Sequence, residues 1–512
     1  RLGSFGDPGR SQARGISAAS AGPGPNEAYR HSTMNTPRAV DVGSELCWLG
    51  LPHPLLRWTA LSGILLGVLY TASPATVWFA ILVGLLLVWA GHDLTPRERR
   101  WVLGILGLAL ALRLLGVAAL FLLSSSDLEP VGSILPDGRY LKLRSLWIRN
   151  VALGIPIYWW DNVEAFHAYG RSGSHYLLAA FQLALGPMTY GIHLLNVAFF
   201  VSGAVMLYRT ARSAFGGVPA LIGFAIILFL PSLFIWSISA LKDPLFFFLT
   251  AVCLTSAFTG VRTKSWSGRI LAFVACALAI TFAATLRQAG LVILGGGLLT
   301  GLIFRFIVLN TRAMGACAVL FVVATSFVAV TPAAQQRVMG QLRRAGAFHY
   351  GFTNTPGVNY KLLDSHIYAI DHLRARRLID RMSAAELARF VIRATVSFVS
   401  TPIPWNSASP AAVAYIPQQM FWYLLVGLAV IGCYVGFWRD RLLTCLLAGT
   451  IVSGAAAVAL ITGNVGTLVR FRDMVVPLIA WLSGLGGCAV VEQLALFKGG
   501  GPHRQKPAAV EQ

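Results

Sequence analysis

The chain has 512 residues, of which 56% are hydrophobic and only 12% charged, with a formal net charge of +21. A soluble domain carries about twice that charged fraction, so lipid is the main solvent here and a water-soluble globular fold is excluded. The basic balance does not point to nucleic acid, because no zinc-ligand spacing or nucleic-acid-binding motif is present. The Lys and Arg residues sit mostly in short loops between apolar runs, as expected for cytoplasmic retention and attraction to anionic headgroups.

Residues 1–54 form an expected cytoplasmic tail. The sequence begins with Arg1 and its first methionine is Met34. The stretch before Met34 is rich in Gly, Pro, Ser and Ala and lacks the apolar centre of a signal peptide. It reads as a disordered tail or as a gene start set too early, with translation beginning at Met34.

Apolar runs long enough to cross a bilayer then predict helical spans near 56–72, 75–91, 101–123, 187–208, 218–236, 244–260, 268–286, 289–308, 313–331, 418–437, 442–461 and 474–492. Short alternating strands are absent, so the expected fold class is all-α: a polytopic transmembrane helical protein of about twelve spans. The loops HDLTPRERR (92–100), YRTARSAFGG (208–217), VRTKSWSGR (261–269), RFIVLNTR (305–312) and WRDR (438–441) are basic, as is the tail FKGGGPHRQK. They alternate correctly if all are cytoplasmic, which places both ends in the cytoplasm and the protein in the inner (plasma) membrane.

Two long segments then fall outside. Residues 55–331 read as a transmembrane catalytic module carrying a first outer loop, 124–186. Residues 332–417 form a second, large outer loop, followed by C-terminal spans to 492 and a cytoplasmic tail, 493–512. The first loop holds Trp147, Tyr158, Trp159 and Trp160, which favour the headgroup layer, so short interfacial helices are expected there. The seven cysteines are scattered without a CxxC pair and read as small apolar fillers.

With only 20 acidic residues, each one near the outer face is informative. Asp127, Glu129 and Asp137 follow the third span. Asp137-Gly138 also has the composition of a turn, and Asp127 and Glu129 that of solvated loop charges. Asp243 lies in a tight turn between two apolar spans, where an ionisable group is costly unless paired or functional. The structural alternative is a Lys242–Asp243 ion pair capping the next helix, with Pro244 in its first turn. Outer-face cations form a second set: Lys242, Arg287, Arg470 and Arg472. Guanidinium forks match phosphate oxygens, or such side chains snorkel to headgroups. Arg113 falls in mid-span, where it would pair with an acid or line a cavity.

The order of these features resembles the GT-C superfamily of polytopic glycosyltransferases, which includes protein O-mannosyltransferases, aminoarabinose transferases and oligosaccharyltransferase catalytic subunits. A span is followed by an acid-bearing loop (DLEP…PDGRY). Next comes GSHYLLAAFQLALGPMTYGIHLLNVAFFVSGAVMLYRTARSAFGG, with its Leu-Asn start and its exit ending Phe-Gly. PALIGFAIILFLPSLFIWSISALKDPL resembles the span that ends in Pro and then Ser…Asp, and GNVGTLVRFRDMVVPLIAW the late Arg-x-Arg…Pro segment of many bacterial members. The resemblance covers about 101–260 and, more weakly, 463–492; residues 332–417 have no counterpart in it.

It implies a sugar transferred from a polyprenyl-phosphate donor to a glycan, lipid or protein acceptor at the outer face, with no nucleic-acid partner. Asp137 would be the base, with Asp127 and Glu129 as its rivals. Asp243 would be a second carboxylate orienting the acceptor or a metal. Lys242, Arg287, Arg470 and Arg472 would hold the lipid phosphate. A divalent metal is not required by the sequence, since one or two carboxylates do not define a site. A cell-surface polysaccharide polymerase or ligase is the alternative, suited by the Arg- and His-rich segment 332–417 (His349, His366, His372). A lipid or solute transporter is the non-enzymatic reading, and it expects mid-membrane charge.

Overall fold

In hydrocarbon a chain must satisfy its own backbone hydrogen bonds, and the computed structural model does so with helices. It describes residues 53–123, 137–167, 172–187, 190–355, 357–403 and 410–498. Among these there is no strand; the only ladder contact is an isolated antiparallel bridge between Asn359 and Asn464. The chain divides into two units, 1–65 and 66–512. The described part of the first is the opening of helix α1 (His53–Ala72).

The second unit begins with α2 (Pro74–Gly91) and α3 (Pro96–Leu123), followed by three short helices, α4 (Asp137–Ala152), α5 (Trp159–Phe166) and α6 (Gly173–Leu185). Then come α7 (Gly191–Phe215), α8 (Gly217–Phe229), α9 (Pro231–Ile238), α10 (Asp243–Arg262) and α11 (Trp266–Leu286). A π-helical turn, Val292–Gly296, leads into α12 (Gly297–Leu309), and α13 (Thr311–Val330) follows. The long second connection holds α14 (Pro332–Thr353), α15 (His372–Asp380) and α16 (Ala384–Ser400). The chain ends in α17 (Pro410–Arg439), α18 (Arg441–Ile461), α19 (Val465–Arg472) and α20 (Val476–Lys498).

Nine helical stretches among the described residues are long and apolar enough to cross a membrane: α2, α3, α7, α10, α11, Val292–Leu309, Tyr415–Arg439, α18 and most of α20. The bent pair α8–α9 makes a tenth. This is fewer than the twelve expected. Ten of the expected runs coincide with these spans. The other two, 56–72 and 313–331, fall on α1 and α13, whose side chains lie partly outside the described set, and neither is among the candidates. The expected span 187–208 begins later, at Gly191, and runs on to Phe215.

The 59° bend between α8 and α9 has an identifiable cause. Pro231 has no N–H to give and disfavours helical backbone at Leu230. The carbonyl of Leu228, left exposed by the break, accepts from Arg113 at 2.9 Å. The same guanidinium donates to Ser237 Oγ at 2.9 Å and to Ala109 O at 3.1 Å, between the rings of Phe200 and Phe234. Arg113 therefore neither pairs with an acid through these bonds nor lines an open cavity; it caps a broken helix inside the bundle.

Close backbone approach holds the last spans together, as is usual in lipid. A side chain at Gly432 of α17 would place its Cβ 1.8 Å from the Leu482 carbonyl of α20. Polar clamps gather at one end of the bundle. Glu98 accepts two bonds from Arg212, at 2.6 and 2.9 Å, and one from the Tyr208 hydroxyl at 3.0 Å. Arg262, at the same end, pairs with Asp440, the N-cap of α18. The opposite end carries both long connections. There α14 docks on the end of α18 through His349, whose Nδ1 donates to Thr462 O at 2.6 Å. Tyr360 OH joins the same carbonyl at 2.8 Å. Burial lowers the His349 pKa to about 4, so the ring is neutral.

Candidate functional site

At the end opposite the Arg262 clamp, α9 stops at Ile238 and α10 starts at Asp243. Pro244 in the first turn and an acid at its head are favourable helix-start choices, since the proline lacks an N–H that would be orphaned anyway and the carboxylate faces the positive dipole end. The turn between them exposes carbonyls in an apolar setting, and α7 satisfies them. His193 Nδ1 lies 2.6 Å from Ile238 O. Asn196 Nδ2 donates to Ser239 O at 2.6 Å and Leu241 O at 2.8 Å. The Asn of the Leu-Asn helix start thus fixes the turn that presents Lys242 and Asp243.

Asp243 accepts from Arg287, the C-cap of α11, and from Arg470 of α19 at 3.0 Å through Nη2 and 3.3 Å through Nε. The three side chains are 11%, 9% and 16% exposed. Arg287 also lies over the Phe471 ring at 4.9 Å and Arg470 over Trp236 at 6.0 Å. Lys242 stands beside the carboxylate as expected, and two arginines from distant parts of the chain join it there. Three residues far apart in sequence meet here, and the triad carries one net positive charge.

Arg472 does not join this group. Two positions along a helix is roughly 200° of rotation, so it leaves α19 on the other side. It is 1% exposed, donates to Gln419 Oε1 at 3.1 Å and to the Thr401 carbonyl, and stacks on Trp422 at 4.8 Å. Asp137 opens α4. One turn later Leu141 is buried against Leu178, Ile192 and Ala240, the last being three residues before Asp243. The start of α4 is therefore seated on the Asp243 turn. Asp127 and Glu129 lie outside the described residues.

A second acid, Asp473, lies beside Asp243 in the same cleft. It accepts from Ser232 Oγ at 3.0 Å and from the Trp236 indole, both on α9. Burial pushes its carboxyl up to about 7, against the opposing pull of those two donors. Asp243, Arg470, Asp473 and Trp236 line one cleft of about 20 Å³, room for a single water. A second, apolar cavity of about 280 Å³ opens between α2, α6, α7 and α10, with Trp78, Phe181, Ile192, Phe199 and Phe248 in its wall. Phe248 is five residues along α10 from Asp243. Among the described residues no three His, Cys, Asp or Glu side chains form a metal-binding group.

Fold and site together define a polytopic helical membrane protein with a buried carboxylate–arginine centre at one end of its bundle. No family model, no curated protein and no solved structure matches the chain.

Proposed function

We propose that this protein is a membrane glycosyltransferase that moves a sugar from a polyprenyl-phosphate donor to an acceptor at the outer face of the plasma membrane. On this reading the chain has twelve spans, α1 and α13 included, and both ends are cytoplasmic. The observation that carries the proposal is the Asp243–Arg287–Arg470 triad, which is buried, net positive and built from three separate elements. It is supported by the adjacent apolar cavity, whose wall suits an isoprenoid tail, and by the seating of the α4 start on the same turn.

The chemistry requires an acceptor O–H, an anomeric carbon and a phosphate leaving group. The Asp137 carboxylate takes the proton as the acceptor oxygen bonds to the anomeric carbon. The anomeric C–O bond breaks and its electron pair leaves with the phosphate. Arg287 and Arg470 stabilise the charge that develops there, which counts for more in a dry site than in water. Asp243 holds both guanidiniums on one carboxylate. Because the cleft itself admits only a water, the sugar phosphate binds on its rim. Of the three histidines in the segment that suits a polymerase or ligase, His349 is buried and hydrogen-bonded at both ring nitrogens, which makes it a structural residue.

The test is transfer from a panel of polyprenyl-phosphate sugars by the full chain in nanodiscs, with Asp137→Ala and Asp243→Ala variants beside it. Transfer should be lost in both while membrane expression persists. Full activity in both variants would end the assignment.

A further inference from the structure

Cys253 of α10 and Cys276 of α11 come from adjacent antiparallel spans, and their Sγ atoms are 3.6 Å apart. Both thiols are free. Seven residues further along α10, on the same face, Gly260 meets α11 so closely that an added Cβ would stand 3.0 Å from the Ala272 methyl. Ala272 in turn lies one turn before Cys276. The two spans thus share one tight seam that holds the sulfurs in register. A disulfide needs about 2.05 Å between sulfurs, so they must close by about 1.5 Å, the scale of a side-chain rotation. Cys253 is 1% exposed, whereas Cys276 is half-buried on a helix whose neighbours Phe273 and Leu278 are 74% and 65% exposed. An apolar reagent in the bilayer reaches the pair from the α11 side; a water-borne one has to cross lipid.

We propose that Cys253 and Cys276 form a reversible disulfide site oxidised from within the membrane by a lipid-soluble quinone. Both S–H bonds break and one S–S bond forms. The two electrons and two protons pass to the quinone, which leaves as the quinol. The cross-link ties α10 to α11, the two helices whose ends supply Asp243 and Arg287. It therefore fixes the spacing of that ion pair from ten residues away in α10 and eleven in α11.

The experiment uses the full chain in nanodiscs with and without a lipid-soluble benzoquinone, followed by denaturation, maleimide alkylation and peptide mass spectrometry. Quinone should remove two alkylatable thiols per chain, link the peptides holding Cys253 and Cys276, and be reversed by dithiothreitol. In Cys253→Ala and Cys276→Ala the quinone-dependent loss should vanish. The proposal is overturned if both thiols stay alkylatable after quinone, if a quinone adduct replaces the disulfide, or if either sulfur pairs with another chain.

Discussion

Replacing Asp243 by alanine tests the centre of the site most directly. The carboxylate and its two arginines are 11%, 9% and 16% exposed, which puts the triad in the buried regime where removing one partner typically costs about 3–5 kcal/mol. Asp243→Ala removes the carboxylate that bridges two buried guanidiniums, so its loss should fall in that range. Arg470→Met should cost less, because Arg287 still pairs with the carboxylate. The double variant should lose less than the sum of the two singles, with a coupling of about 1–3 kcal/mol. Unfolding in mixed micelles against SDS, followed by tryptophan fluorescence, reads all three. Inorganic phosphate adds a second arm. The emptied arginine pair should bind it, and at a hundredfold excess over Kd the single variant should regain about 2.7 kcal/mol while the wild type gains far less. An Asp243→Ala protein within about 0.5 kcal/mol of wild type, or strict additivity, would refute the argument.

The other expectations are narrower. Because Asp473 is held up to about 7 when folded and titrates near 4 when unfolded, the native state binds the extra proton between those values. Its contribution is therefore fully present below pH 4, falls as pH rises to 7 and is level above; Asp473→Asn should flatten that slope in unfolding measured across pH. Arg113→Met strands Leu228 O inside the bundle and removes the bond that Ser237 Oγ accepts, and should cost about 2–4 kcal/mol, seen as a lower SDS midpoint. Gly432→Ala drives a methyl into the Leu482 carbonyl, so α17 and α20 must part; folded yield in membranes should drop sharply, whereas Gly427→Ala, with open space around it, should leave yield unchanged.

Ten spans were legible because hydrophobic run length is a local property, and so was the gathering of scarce charges at one end. What was not legible depends on rotation about helix axes and on breaks. Arg470 and Arg472 look equivalent in RFRD, yet one faces Asp243 and the other Thr401, because two residues turn a helix roughly halfway round. Lys242 is the nearest cation to Asp243 in sequence, and nothing local announces that distant Arg287 and Arg470 bond the same carboxylate. The partner of Arg113 was sought among acids and turned out to be a carbonyl freed by Pro231, which needs the bend in three dimensions. Asn196 carried a signal in its unusual place at a span start. Trp236 and Ser232 carried none, since nothing local links them to Asp473.

The charge arrangement bears on how the proposed donor binds. Two buried guanidiniums with nothing between them would repel, and an empty site of that kind would collapse or fill with whatever anion is abundant. Asp243 prevents both by acting as a built-in counterion that holds Arg287 and Arg470 together before any ligand arrives. A phosphate on the rim therefore has to compete with the carboxylate for the same N–H groups. A monoanionic leaving group that gains charge as its bond breaks competes better in the transition state than in the ground state, and that difference is what accelerates a reaction. Aspartate at 243 is then favoured over a neutral residue on kinetic grounds, even though it weakens ground-state binding.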